Sequence, residues 1–105
     1  MLELIILINL ARSQPLIQDK TLTNIAQRRA EYLCDHEFSH VGWNVPTKFN
    51  YRGENLAADF PSATSTHKAL MNSPKHKANI INPDFQYVGI GEACGITVFE
   101  FGGYF

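Results

Sequence analysis

The hydrophobic positions in the first third of the chain predict two helices. Residues 2–12 are apolar on most sides, which is typical of a well-buried helix, and Pro15 follows soon after and ends it. Asp19 is a suitable N-cap for a second helix. The apolar side chains of this second helix recur at helical spacing: Leu22, Ile25, Ala26, Ala30 and Leu33.

Beyond the second helix the helical pattern of apolar positions is lost. Residues 42–52 are rich in glycine, asparagine and proline, which favour a loop, and residues 53–58 predict a short extended segment. A third helix is expected to begin at Pro61 and Ser62 and to run to about Asn72.

The clearest helix start is Ser73 followed by Pro74, because serine is a preferred N-cap and proline is favoured at the first helical position. This fourth helix is short, since an Asn-Pro pair at 82–83 ends it. Residues 86–92 and 96–101 alternate or run apolar around a short turn and predict an antiparallel hairpin. Helices come first and the hairpin last, so the predicted class is α+β.

Composition limits the organisation of the chain and its partners. With 105 residues, of which 45% are hydrophobic and 18% charged, the chain is expected to form one domain, residues 1–105, and not to be disordered. The net charge of −1 and the lack of a basic run argue against nucleic-acid binding.

The apolar run at residues 4–8 is too short to cross a membrane. It also lacks the positive flank and the cleavage site of a signal peptide, so we interpret it as part of the first helix. If the protein is exported, its targeting segment lies outside this sequence.

Two cysteines, Cys34 and Cys94, leave two interpretations open. A disulfide between them would close a long loop and contribute about 4 kcal/mol in the chain-entropy model. Alternatively, both are independent buried thiols.

The side chains available for chemistry are four histidines and a few carboxylates: His36, His40, His67, His76, Glu54, Glu92 and Glu100. His76 is the third residue of the fourth helix, where the positive helix end favours a neutral imidazole that can bind a metal or accept a proton. None of the short zinc signatures is present. Taken alone, each histidine is more often a surface or hydrogen-bonded residue than a ligand.

Five short segments, in this order, resemble the motifs of the CAP superfamily, also called SCP/PR-1-like, in its short bacterial form. They read INLAR at residues 8–12, FSH at 38–40, GENL at 53–56, NSPKHKANI at 72–80 and VGIG at 88–91. The resemblance implies an α-β-α sandwich, with a small antiparallel sheet between helical layers.

The resemblance also implies a cleft lined by two histidines and two acidic residues. Three of these positions match His40, Glu54 and His76, whereas the second acidic position holds Ser73 and the preceding tryptophan position holds Leu70. A carboxylate between two imidazoles either shares protons with them and braces the cleft, or holds a divalent metal, for which zinc is the natural choice.

Two functions are therefore weighed. The first is a secreted or cell-surface binding module, monomeric and not enzymatic, with a lipid, sterol or glycan as ligand. The alternative is a metal-dependent, peptidase-like hydrolase in which His40, Glu54 and His76 are catalytic. The missing acid at Ser73 favours binding over catalysis.

Overall fold

The computed structural model describes residues 2–104 and has four helices and four strands. The strands form one sheet in the order β1-β3-β4-β2. This arrangement confirms the predicted α+β class. In chain order the elements are α1 (Leu2–Leu10), β1 (Ile17–Gln18), α2 (Lys20–Leu33), β2 (Tyr51–Ala58), α3 (Ala63–Met71), α4 (Pro74–Ile81), β3 (Tyr87–Ala93) and β4 (Ile96–Gly103).

The predicted hairpin is confirmed as β3 and β4, which pair antiparallel. Its two-residue turn consists of Cys94 and Gly95, with φ of 42° and 77°, and two positive φ values are what a type I′ turn requires. On the other side of β4, β2 pairs antiparallel over eight residues, from Tyr51 opposite Gly103 to Ala58 opposite Ile96. The extended segment therefore begins at Tyr51, two residues before the predicted start.

The sheet is mixed, whereas an antiparallel sheet was expected, because the short strand β1 pairs parallel with β3. The side chain of Asn9 explains why the chain is extended here. Its amide donates to the Leu16 carbonyl at 3.3 Å, and its Oδ1 accepts from the Leu16 N–H at 2.8 Å. Asn9 thus pairs with the backbone next to β1 in the way that a neighbouring strand would.

The first helix is shorter and less buried than its composition predicts. Only Leu4 and Ile8 are buried, while Leu2, Ile6 and Leu10 are between 51% and 79% exposed. The helix packs on the sheet layer through one face only, so the expectation of a helix buried on most sides is wrong.

Helices cover both faces of the sheet, which confirms the α-β-α sandwich. On one face α2 lies directly against β3, since a Cβ at Gly89 would be 2.1 Å from the Leu22 carbonyl carbon. A Cβ at Gly91 would likewise be 2.4 Å from the Gln27 nitrogen. On the other face the core includes side chains of α1, α3 and α4. The close approach of α2 brings its polar side chains within reach of the sheet.

A disulfide joins Cys34 to Cys94, with their Cα atoms 6.0 Å apart, which decides between the two interpretations of these cysteines. It ties the C-terminal end of α2 to the β3–β4 turn. The bond closes a loop of 60 residues. None of the helices among residues 2–104 is long and apolar enough to span a bilayer.

The double variant Cys34→Ser/Cys94→Ser is expected to lose up to about 4 kcal/mol of unfolding free energy, because its unfolded chain is no longer constrained by the cross-link. Urea unfolding of the variant and the oxidised parent measures the difference. The reduced parent serves as control and should match the variant. Equal midpoints for variant and oxidised parent would show that the bond does not stabilise the fold.

Candidate functional site

The centre of the site is the buried carboxylate of Glu54, whose side chain is only 1% exposed. It points from β2 towards α2. There the Nε–H group of Arg29 donates a hydrogen bond to Oε2 and the Nη2–H group donates one to Oε1, each at 3.0 Å. Such a two-point pairing is among the stronger charge-assisted contacts in proteins. Arg29 also donates to the carbonyls of Ser39 and Val41, at 3.0 and 3.1 Å. It therefore fixes the loop that carries His40.

His40 donates its Nδ1–H to Oε1 of Glu54 at 2.8 Å, while 54% of its side chain remains exposed. Burial alone would raise the pKa of Glu54, but hydrogen bonds from Glu100, Arg29 and His40 outweigh burial and the pKa is lowered. Glu54 is thus an ionised anchor that orients the imidazole of His40.

His76 is positioned by α4 and by β2. Its Nδ1 is hydrogen-bonded to the hydroxyl of Ser73 at 2.8 Å, and its carbonyl accepts from the amide of Asn55 at 3.0 Å. Burial and the charge of His40 lower the pKa of His76, in the direction expected from its place in the helix. The structure therefore brings His40 and Glu54 into direct contact and places His76 close enough to His40 for the two rings to interact electrostatically.

Ser73 does not act as the side-chain cap that the Ser-Pro pattern predicts. Its backbone has the extended conformation of an N-cap and Pro74 follows it, but its side chain makes no capping hydrogen bond. The hydroxyl bonds the ring of His76 instead. At the position where the resemblance implies a second acidic residue, Ser73 thus holds the second histidine.

Glu100 is a further member of the site that the sequence did not assign. It lies directly opposite Glu54 in the β2–β4 register, is fully buried, and accepts from Arg52 Nη2 at 3.1 Å. Burial, together with the hydrogen bond and charge of Glu54, raises the pKa of Glu100 to about 10, which Arg52 only partly opposes. Glu100 is therefore neutral at pH 7 and donates a hydrogen bond to Glu54.

Arg29 was also missed, although the pattern of α2 contained a signal. It lies seven residues after Leu22 and next to Ala30, on the side of the helix that faces the core. A cation at such a position needs a buried anion as its partner. Glu54 and Glu100 lie in largely apolar strands and therefore need partners as well. Which of them pair depends on how α2 lies on the sheet.

The cleft beside these residues has a volume of about 280 Å³. Its floor is β2 at residues 56–58, and its walls include Phe38 after α2, Phe60 before α3, Leu70 in α3 and His76 in α4. A second hollow of about 540 Å³ lies between α2 and the loop at residues 41–45. Within residues 2–104 no group of three His, Cys, Asp or Glu side chains is preformed as a metal site. Metal binding by His40, Glu54 and His76 stays a prediction.

A sheet enclosed by two helical layers, with two histidines and a glutamate gathered beside its edge strand, defines a CAP-type domain. The model of the CAP family, described as the cysteine-rich secretory protein family, matches residues 9–96. The chain belongs to this family.

The relatives agree with this assignment. The chain is 32% identical over 89 residues to the uncharacterized protein YkwD of Bacillus subtilis (strain 168), covering 74% of this chain. It spans only 35% of the length of that relative. An extracellular protein containing a SCP domain from Bacillus anthracis str. Ames is 24% identical and superposes with a TM-score of 0.89, over 98% of this chain and 40% of its own.

A solved outer surface protein from Borrelia burgdorferi is 25% identical, with a TM-score of 0.79 over 98% of this chain and 88% of its own. Two of these relatives are thus described as extracellular or outer-surface proteins.

Proposed function

We propose that this domain is an extracellular binding module whose cleft holds a divalent metal ion, zinc, at His40 and His76. One observation carries the proposal. Each imidazole has its Nδ1 engaged in a hydrogen bond, His40 with Glu54 and His76 with Ser73, which leaves Nε2 of each ring as the nitrogen for a ligand. Metal-binding histidines are usually oriented in this way through their second ring nitrogen.

The donor set fits zinc through the two imidazoles, with Glu54 acting through His40. The oxygens of Glu54 already accept from Arg29 and His40, so its carboxylate orients the ring and supplies negative charge. The lowered pKa of His76 keeps that imidazole neutral near pH 7, as metal binding requires. A bound zinc ion would supply a positive charge and open coordination positions for an oxygen or nitrogen atom of a ligand.

An extracellular location is supported by the disulfide between Cys34 and Cys94, because disulfides persist in oxidising compartments and are rare in the cytosol. The descriptions of the Bacillus anthracis and Borrelia burgdorferi relatives point the same way. A lipid, sterol or glycan ligand stays a prediction from the family resemblance.

The hydrolase alternative is less well supported by the site. A general base needs a free lone pair and a pKa near the working pH. Glu54 accepts hydrogen bonds at both oxygens, and those bonds lower its pKa, so it is a poor proton acceptor at pH 7. Cleavage of peptides or esters that is lost on chelation and restored by zinc would nevertheless favour the hydrolase.

Zinc is expected to raise the melting temperature, because a ligand at 100 times its Kd stabilises the folded state by about 2.7 kcal/mol. His76→Ala should abolish this response, since it removes one proposed ligand and leaves the Arg29–Glu54 pair intact. His36→Ala is the matched control, because His36 is an exposed histidine that stacks on Tyr32, and it should respond as the parent does. An unchanged zinc response in His76→Ala would reject this pair of ligands.

A further inference from the structure

The outer edge of β2 carries unused backbone hydrogen-bonding groups. Asp59 N–H donates to the Gly95 carbonyl at 2.8 Å, and this pair continues the register in which Ala58 lies opposite Ile96. Hydrogen-bonded and non-hydrogen-bonded pairs alternate along an antiparallel ladder. The backbone groups of Leu56 and Ala58 therefore point away from β4, towards the cleft.

A side-chain contact supports this register. The carbonyl of Glu54, which by the same alternation also points outward, accepts from the amide of Asn79 at 3.3 Å. Because Asn79 occupies the Glu54 carbonyl, the unpaired part of the β2 edge begins after Glu54. No donor or acceptor within residues 2–104 reaches the outward N–H and C=O groups of Leu56 and Ala58. These two residues thus direct two donors and two acceptors towards the cleft, with a spacing of about 7 Å between the residues. Leu56 is only 6% exposed and Ala58 is partly buried, so a partner has to enter the cleft to reach them.

The cleft around this edge is bounded by an aromatic residue on each side. Its walls come from helical layers on opposite faces of the sheet, with Phe38 following α2 and Phe60 preceding α3. Both rings are partly exposed, at 48% and 43%, and offer apolar contact on either side of the edge.

Charge differs between the elements that carry the two walls, although the residues that line the cleft include no Lys, Arg, Asp or Glu. Residues 60–83, which include α3 and α4, contain Lys68, Lys75 and Lys77 but no aspartate or glutamate, and these lysines are sequence neighbours of the lining residues Ala69 and His76. The segment after α2 carries Asp35 and Glu37 instead. Because side chains of an added strand alternate between its two sides, those that face α3 and α4 are best matched by acidic residues.

From this geometry we propose that the edge of β2 at Leu56 and Ala58 binds an extended polypeptide segment, in which apolar and acidic side chains alternate, as an added strand of the sheet. Main-chain hydrogen bonds to Leu56 and Ala58 hold the segment, and its side chains contact the two walls. The proposal relies on the cleft being a binding site, as proposed above, and specifies a polypeptide as its partner.

The test uses the full chain and a blocked octapeptide of alternating valine and glutamate that carries a fluorescent label. Anisotropy titration in the presence of a chelator should give saturable binding without metal. The same peptide, N-methylated at the residues whose N–H groups would face β2, should bind at least about tenfold more weakly, because its side chains are unchanged and only donors are lost. A valine-lysine octapeptide should also bind more weakly at low salt.

Ala58→Pro provides the matching change in the protein. Proline at this position removes only an outward N–H, and the preceding residue is already extended, as proline requires. We expect at least about tenfold weaker peptide binding with an unchanged melting temperature. Ala58→Val keeps the N–H and should bind within about twofold of the parent.

Equal binding of the N-methylated peptide would overturn the proposal. Absence of binding by the valine-glutamate peptide up to about 1 mM would also overturn it, since an interaction weaker than about 4 kcal/mol would not define a docking site. The zinc response of the melting temperature is measured separately. A failure of peptide binding with an intact zinc response would reject the strand site and leave the metal-binding module in place.

Discussion

Replacement of Arg29 by alanine is expected to lower the free energy of unfolding by about 3–5 kcal/mol, the cost typical of removing one partner from a buried ion pair. Glu54 would keep its negative charge at a position where its side chain is 1% exposed, and would lose both hydrogen bonds from the guanidinium. The carbonyls of Ser39 and Val41 would lose their donor as well, so the loop that carries His40 should become less ordered.

Arg28→Ala is a closely matched control, because Arg28 precedes Arg29 in the same helix but is exposed. Its effect should stay within about 0.5 kcal/mol, as for most surface substitutions. Urea unfolding gives both free energies, and the ring protons of His40 in NMR spectra report on the loop. If Arg29→Ala and Arg28→Ala were equally stable, the buried pair would not brace the site.

Glu100→Gln is expected to make the protein more stable at pH 8, although it removes a side chain that is fully buried and hydrogen-bonded to Arg52. Burial and the neighbouring Glu54 raise the pKa of Glu100 to about 10. Between the ordinary carboxyl pKa of 4.5 and about pH 10, Glu100 therefore keeps its proton in the folded protein, whereas it is ionised in the unfolded chain. Glutamine is always neutral, donates to Glu54 as the protonated acid does, and offers Arg52 an oxygen.

The sign of the pH dependence follows from proton linkage. The contribution of protonated Glu100 to the free energy of unfolding is fully present below pH 4.5, its ordinary pKa. This contribution declines as the pH rises towards about 10, its pKa in the folded protein. Within this window the stability difference between Glu100→Gln and the parent should grow with pH, by at most about 1.4 kcal/mol per unit. Taking the difference between the two proteins cancels the contributions of the histidines, which both proteins share.

Unfolding curves from pH 5 to pH 9 test this expectation. Glu92→Gln is the control, because Glu92 is an exposed glutamate in the same sheet, and its pH profile should run parallel to that of the parent. A difference between Glu100→Gln and the parent that stays constant across this range would show that Glu100 is ionised in the folded protein.

Local signals accounted for most of the secondary structure. Asp19 caps α2 as predicted, since its side chain accepts the backbone N–H of Leu22. The third helix was expected to open at Pro61 and Ser62, and α3 begins directly after them because Ser62 is its N-cap. The Cys94-Gly95 turn places the hairpin in the same way. The strand β1 was missed because it has two residues and depends on a contact between Asn9 and Leu16, which no local pattern reports.

The sequence by itself determined the family and the α+β class, and it named three residues of the candidate site, because the CAP motifs are contiguous segments in which His40, Glu54 and His76 occupy set positions. Only the tertiary structure showed how the charge of Glu54 is balanced. Arg29 and Glu100 are 25 and 46 positions away along the chain, and they meet Glu54 because α2 packs on glycines of β3 and because β2 and β4 share one register. Charges buried together must compensate one another in three dimensions, and that balance depends on packing and register that no single segment encodes.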